Sequence, residues 1–302
     1  MDRILREIIE KNKYLSKVGK VADYIPALSM ANPDDIGACI IELNGNIYKA
    51  GSYDVKFTMQ SISKVLGLLL AVLDNGEEYV FKRVGYEATN EPFNTLYELD
   101  IFTTRKPSNP MINAGAIVTT SLIKGDKDEK FNRILDLVRR VTENPHIDYN
   151  RKIYISEKVT GDKNRAIAYL MKSRGLIKGD VEDILDAYFK QCSIEVDIVD
   201  LARIGAFLAN GCQTISSKEA IGNKEIANLL TVIMSTCGMY DFSGEYAVRV
   251  GIPSKSGVSG GIMATIPGKL GIGVYSPCLD IIGNSIAGYG IMKDLSEKLV
   301  IF

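Results

Sequence analysis

Strand-like segments lie at both ends of this 302-residue chain, and a long helical block separates them. Near the N-terminus, Ala38-Cys39-Ile40-Ile41-Glu42-Leu43 and Asn46-Ile47-Tyr48-Lys49-Ala50 flank Asn44-Gly45. Asn-Gly is a favoured hairpin turn because both residues tolerate positive φ, so this stretch predicts strand, tight turn and strand. Near the other end, residues 258–266 and 270–275 are joined by Pro267-Gly268-Lys269 and predict a second antiparallel hairpin. Between them, helical patterns cover 130–143, 165–172, 181–190, 196–209 and 224–234, linked by turn-rich stretches such as Thr104-Arg105-Lys106-Pro107-Ser108-Asn109-Pro110. Amphipathic helices are also expected over 2–14 and 286–299. Strands, then helices, then strands is an α+β order and not βαβ alternation. The expectation is one antiparallel sheet made by both chain ends (sheet lobe 1–65 and 235–302) with a helical lobe (66–234) inserted, all in a single domain.

Charge narrows the partners. Lys plus Arg number 36 and Asp plus Glu 37, a balance that gives no electrostatic reason to bind nucleic acid or an anionic membrane. The first seven residues are charged throughout and lack the apolar core of a signal peptide. The longest apolar run, residues 66–73, is far short of a bilayer span. A cytoplasmic location is expected. Five scattered cysteines with no CxxC or Cys/His cluster read as buried, reduced thiols, and no metal is expected. The one histidine, His146, follows Pro145 in a predicted loop, so hydrolytic chemistry here would need another base.

That base has a candidate. Gln60-Ser61-Ile62-Ser63-Lys64 places Ser-x-x-Lys where the apolar helix from the 57–73 stretch begins. At that spacing two side chains share one helix face, so the Lys64 amine can reach a solvent-facing Ser61 hydroxyl. The helix N-terminus favours a developing oxyanion, and with burial it should depress the Lys64 pKa. Alone, the motif is a weak signal that occurs by chance in many helices and reads more readily as a helix-capping serine and a solvated lysine. A second box, Lys255-Ser256-Gly257, precedes Val258-Ser259-Gly260-Gly261. Penicillin-recognising serine hydrolases pair Ser-x-x-Lys with such a box on a strand edging the site.

Further segments make the resemblance specific. They include Ala22-Asp23-Tyr24-Ile25-Pro26, Asn109-Pro110-Met111-Ile112-Asn113-Ala114-Gly115-Ala116 and Ser156-Glu157. Thr160-Gly161-Asp162-Lys163-Asn164-Arg165-Ala166, Tyr188-Phe189-Lys190-Gln191-Cys192-Ser193, Gly238-Met239-Tyr240-Asp241 and Gly283-Asn284-Ser285 continue in order. The chain resembles the serine-dependent glutaminases, over about residues 19–290.

The resemblance implies a β-lactamase-like (transpeptidase-like) α+β fold and hydrolysis of L-glutamine to glutamate and ammonia, with no cofactor. It implies Ser61 as nucleophile and Lys64 as its activator, Tyr24 and Tyr240 near the scissile amide, and an oxyanion hole from the Ser61 and Val258 backbone amides. Lys255 belongs to the catalytic set, and Asn113, Glu157, Asn164 and Tyr188 would hold the amino-acid end of glutamine. Those residue types suit a zwitterion. Glu157 accepts from the ammonium, while the asparagines and the Tyr188 hydroxyl donate to the carboxylate. Asp162 is expected to cap a helix with Asn164 in its first turn. A homodimer or homotetramer is expected. The rivals are a penicillin-binding protein or β-lactamase, disfavoured by the missing export signal, and a non-catalytic amino-acid-binding protein.

Overall fold

A computed structural model describes residues 1–89 and 106–299. The predicted connection at Thr104 and Arg105 and the last three residues of the expected sheet lobe lie outside that range. The strands, in chain order, are β1 (Lys20–Val21), β2 (Gly37–Glu42), β3 (Ile47–Gly51), β4 (Phe57–Thr58), β5 (Glu195–Val196), β6 (Ser254–Ser256), β7 (Gly261–Ile266), β8 (Leu270–Tyr275) and β9 (Cys278–Leu279). Five of them form one antiparallel sheet in the order β3-β2-β8-β7-β6. Both chain ends do meet in it, with Ile40 of β2 opposite Ile272 of β8.

The sheet is covered on both faces, which explains why β2 is a continuous apolar run. Cys39, Ile41, Met263 and Tyr275 join the core shared with the central helices. Ala38, Ile40, Ile262, Ala264 and Ile272 point the other way. There they meet Leu5, Ile8 and Ile9 of α1 (Asp2–Asn12) and Ile291, Met292 and Leu295 of the C-terminal helix (Ile286–Lys298). Each such side chain contributes roughly 1.5–3 kcal/mol when fully buried. Asp294 accepts from Lys11 and Asn12 at 2.7 Å each, tying the two terminal helices together.

The first-mentioned face carries the helix Ile198–Ala209 at very close range. A Cβ on Gly205 would stand 2.1 Å from the Ala264 carbonyl oxygen, and one on Gly271 2.0 Å from the Ala206 nitrogen. Only glycine permits that approach. The helix starts at Ile198, two residues later than its apolar pattern predicts, because Asp197 and Asp200 form a capping box. The freed Glu195–Val196 pairs instead with β4, immediately before Ser61. Residues 258–260 are likewise not strand. They form the turn between β6 and β7, with Gly260 at φ 101°.

The remaining described helices are α2 (Ser63–Asn75), α3 (Glu77–Phe81), α4 (Asn113–Leu122), α5 (Lys127–Thr142), α6 (Arg151–Val159), α7 (Asp162–Ser173), α8 (Val181–Cys192), then α9, the helix Ile198–Ala209, α10 (Lys224–Cys237) and α11 (Ser243–Arg249), with Ile286–Lys298 as α12. A separate core of Ile117, Ile167, Met171, Leu185, Tyr188 and Phe189 packs α4, α7 and α8 together. No described helix is long and apolar enough to cross a membrane, and the apolar run in α2 is core. All five cysteines are unpaired and buried, and His146 is exposed in a turn.

Candidate active site

Ser61 does not sit inside the helix that follows it. It occupies a short 3-10 turn, Gln60–Ile62, between β4 and α2. Gln60 has φ 47°, a left-handed conformation that a non-glycine residue enters only where its surroundings require it. Ser61 is 7 % exposed and borders a recessed cavity. Lys64 lies in the first turn of α2, fully buried. Its Nζ donates to the Met111 carbonyl at 3.0 Å and to Asn113 Oδ1 at 2.7 Å. Burial lowers its pKa to about 8. Lys255 is not among the causes, and it is itself driven well below the usual lysine range, first by burial and then by Lys64.

The Asn109-Pro110-Met111-Ile112-Asn113 segment is shaped by its first residue. Asn109 Oδ1 accepts from the Met111 and Ile112 amides at 2.9 and 3.2 Å, making a side-chain turn that presents the Met111 carbonyl to Lys64. Asn113 then opens α4 and acts as a hub. Its Oδ1 receives Lys64 and, at 3.4 Å, the Tyr188 hydroxyl, while its Nδ2 donates to Asn164 Oδ1 at 2.9 Å. The expected carboxylate donor is thus also a direct partner of the lysine.

Glu157 comes from α6, whose N-cap Asn150 accepts from the Lys152 and Ile153 amides and donates to Glu195. Its carboxyl is buried and raised to about 8, chiefly by desolvation. Hydrogen bonding from Gln60, the Lys64 charge and Cys192 pull it partly back. One oxygen, Oε2, has no hydrogen-bond partner among the described residues. Asn164 is in the first turn of α7 as expected, but Asp162 does not cap that helix. Gly161 is the N-cap, and the Asp162 side chain is 95 % exposed beside Arg165. A side chain at Gly161 would meet the Phe189 ring at 2.6 Å.

Ser61, Asn113, Glu157, Asn164, Tyr188 and Tyr24 therefore border one cavity of about 260 Å³. That is slightly below the range of pockets for drug-sized ligands and suits a molecule of amino-acid size. Tyr24 is the most open of the predicted residues, 53 % exposed as a whole, although burial on its cavity side pushes its phenol upward. Tyr240 is not among the residues lining the cavity but is hydrogen-bonded to Ser61, which does line it, and donates to the Ser256 carbonyl at 3.3 Å. Its φ is 57°, a second left-handed non-glycine residue at the site. Burial holds its phenol protonated far above neutrality. Lys255 lies behind Tyr240, with Nζ 4.5 Å from the ring centroid and donating to the Gly238 and Ser256 carbonyls at 3.0 and 2.6 Å. Val258 borders an adjoining apolar cleft of about 720 Å³ that it shares with Tyr24. Two residues escaped sequence reasoning: Gln60 and Cys192 both line the cavity against Glu157. The Gln-Ser and Gln-Cys-Ser segments named them, but nothing in their residue types distinguished them from core.

Comparison with known proteins decides the family. A model of the family described as glutaminase matches residues 19–302. The chain belongs to the glutaminase family. It is 54 % identical to "Glutaminase 2" of Clostridium perfringens over 99 % of this chain and 98 % of that one. The glutaminase of Clostridioides difficile is also 54 % identical, over 99 % and 97 %. Among solved structures, a probable glutaminase from Bacillus subtilis complexed with 6-diazo-5-oxo-L-norleucine superposes with a TM-score of 0.91. It is 36 % identical, with 100 % of this chain and 97 % of that one covered. The protein is thus an amidohydrolase, and the cavity just described is the candidate catalytic centre of a glutaminase.

Proposed function

We propose that this glutaminase hydrolyses L-glutamine to L-glutamate and ammonia through acylation of Ser61. The observation that carries the reading is the Glu157 Oε2 atom, buried without a hydrogen-bond partner among the described residues, in an amino-acid-sized cavity that Ser61 also borders. A buried carboxylate oxygen without a donor is costly, and a substrate α-ammonium supplies the donor together with a compensating charge. Asn164, Tyr188 and the remaining Asn113 N–H face the substrate carboxylate.

In this reading neutral Lys64 takes the Ser61 proton as Oγ attacks the side-chain carbonyl. The oxyanion forms against backbone N–H groups. The Val258 amide makes no hydrogen bond among the described residues and is free for that role. Such donors are typically worth ~10²–10³ in rate each. The C–N bond breaks, and the leaving nitrogen receives the proton that Lys64 took from Ser61, directly or relayed through Tyr240, which leaves Lys64 neutral and Tyr240 protonated. Tyr240 suits a donor because burial keeps it protonated. Lys255 fixes Tyr240 from behind. Water then cleaves the glutamyl ester with Lys64 again as base, restoring Ser61. A covalent complex of a Bacillus subtilis glutaminase with 5-oxo-L-norleucine, formed by reaction with 6-diazo-5-oxo-L-norleucine, supports a nucleophile in the family (TM-score 0.91, 36 % identical).

We further read the fold as β-lactamase-like in a single domain, the location as cytoplasmic and the assembly as a homodimer or homotetramer, with no cofactor. Light scattering that finds only a 33.2 kDa monomer at micromolar concentration removes the oligomer. Ammonia release tests the mechanism. Ser61→Ala and Lys64→Ala should each fold and each lose activity about as fully as the double variant, since the pair acts as a unit. Wild-type turnover in Ser61→Ala ends the proposal.

A further inference from the structure

The turn that carries Ser61 is held from below by side chains that do not border the cavity. Ser63 Oγ donates to the Gln60 carbonyl at 2.7 Å. By itself that is a common local serine contact. Here, however, the same oxygen accepts from Gln191 Nε2 at 3.1 Å, from the last turn of α8. Gln191 Oε1 in turn lies 3.3 Å from Thr120 Oγ1 of α4, which shares its one proton between this amide oxygen and the nearer Ala116 carbonyl at 2.9 Å. All three residues are at most 1 % exposed. The chain ends on the carbonyl of Gln60, the strained residue whose peptide leads into Ser61.

A glycine within α2 belongs to the same arrangement. Gly67 costs helix stability relative to alanine. A Cβ there would stand 3.2 Å from Gln191 Nε2 and 3.3 Å from Oε1, so the amide would have to shift. The glycine keeps room for the amide where it meets Ser63.

We propose that Thr120, Gln191 and Ser63 form a buried brace that positions the nucleophile by holding the Gln60 turn, with Gly67 as its required clearance. These are positioning residues, and the proposal rests on Ser61 being the nucleophile. The brace couples three elements of the site: α4 carries Asn113, α8 carries Tyr188, and the turn carries Ser61.

The test follows the rate at which 6-diazo-5-oxo-L-norleucine labels the protein, with the adduct located by peptide mass. In the labelling reaction an Oγ–C bond forms, dinitrogen leaves and the serine proton ends on the methylene carbon. Wild type should be labelled at Ser61, and labelling elsewhere overturns the nucleophile reading and the brace with it. Ser63→Ala should slow labelling by about tenfold or more, because a small misplacement of a reacting atom is expensive in rate. Gln191→Met and Gly67→Ala should slow it by about threefold, and Ser63→Ala with Gln191→Met should be no slower than Ser63→Ala alone. Glutamate affinity should stay within about twofold, since none of the substituted residues lines the cavity and Asn113, Glu157, Asn164 and Tyr188 are unchanged. A brace with only a structural role lowers the Tm while leaving labelling at the wild-type rate, and that result overturns the proposal. If Ser63→Ala does not fold, Gly67→Ala decides the matter in the same way, because it favours the helix.

Discussion

Lys64 Nζ lies 2.7 Å from Asn113 Oδ1, so the proposed base is held by the same amide that borders the substrate cavity. Replacing that amide by a carboxylate puts a negative charge beside Lys64 and removes the N–H that Asn113 donates to Asn164, so a general loss of substrate affinity is expected alongside the shift in pH profile. Asn113→Asp should favour protonated Lys64 and move the acid limb of kcat/KM upward by about 1–3 pH units, the usual effect of an adjacent opposite charge. Activity lost at neutral pH should return as pH is raised. A limb that stays in place means that Lys64 is not the titrating base.

The wild-type pH profile should be steep. Lys64, lowered to about 8, must be neutral to act, so falling pH removes activity as it protonates. Glu157, raised to about 8, must be ionised to take an ammonium, so falling pH removes activity there too. Both losses have the same sign, and kcat/KM should fall with a slope approaching two below about 8, titrating as a coupled pair. In the complex the substrate ammonium pulls Glu157 down, so kcat should fall with a slope near one. Parallel limbs for kcat and kcat/KM contradict this assignment.

Glu157→Gln keeps the shape and removes the charge. It should cost on the order of 1–3 kcal/mol in kcat/KM for L-glutamine. The loss should be much smaller for an N-acyl glutamine, which has no ammonium. Measuring both substrates on both proteins cancels general damage, and equal losses remove Glu157 from the ammonium role. Asp162, 95 % exposed, is no substitute for it.

Gly205→Ala tests the packing of the helix on the sheet. Its new Cβ would meet a backbone oxygen, which cannot rotate away. A loss of about 3 kcal/mol or more is expected, read from the denaturant midpoint. A midpoint within error of wild type contradicts the close approach of Gly205 to β7.

What the sequence made legible depended on how local each signal was. The Asn44-Gly45 hairpin was readable because its turn chemistry and flanking apolar residues are contiguous, and strands β2 and β3 flank that turn as predicted. The start of α9 was not, since Val196 fits a helical pattern equally well and only pairing with Phe57, far away in sequence, makes it strand. Val258 was assigned to a strand for a similar reason, as glycines on either side do not reveal where β6 ends. Within the site, Ser61 and Lys64 carried a spacing that chemistry explains. Glu157 and Asn113 stood out only through resemblance, because nothing near them in sequence reports that they are buried and border the same cavity. Gln60 and Cys192 carried no signal of their own.

The sheet that joins both chain ends also sets a time at which activity can begin. About 200 residues separate Ser61 from Val258, so at roughly 5–20 residues per second synthesis of the nucleophile precedes that of its proposed oxyanion donor by about 10–40 s. Strand β2 must wait at least as long for β8, and such distant pairings form slowly. A nascent chain therefore carries Ser61 and Lys64 through most of translation without a finished hydrolytic centre.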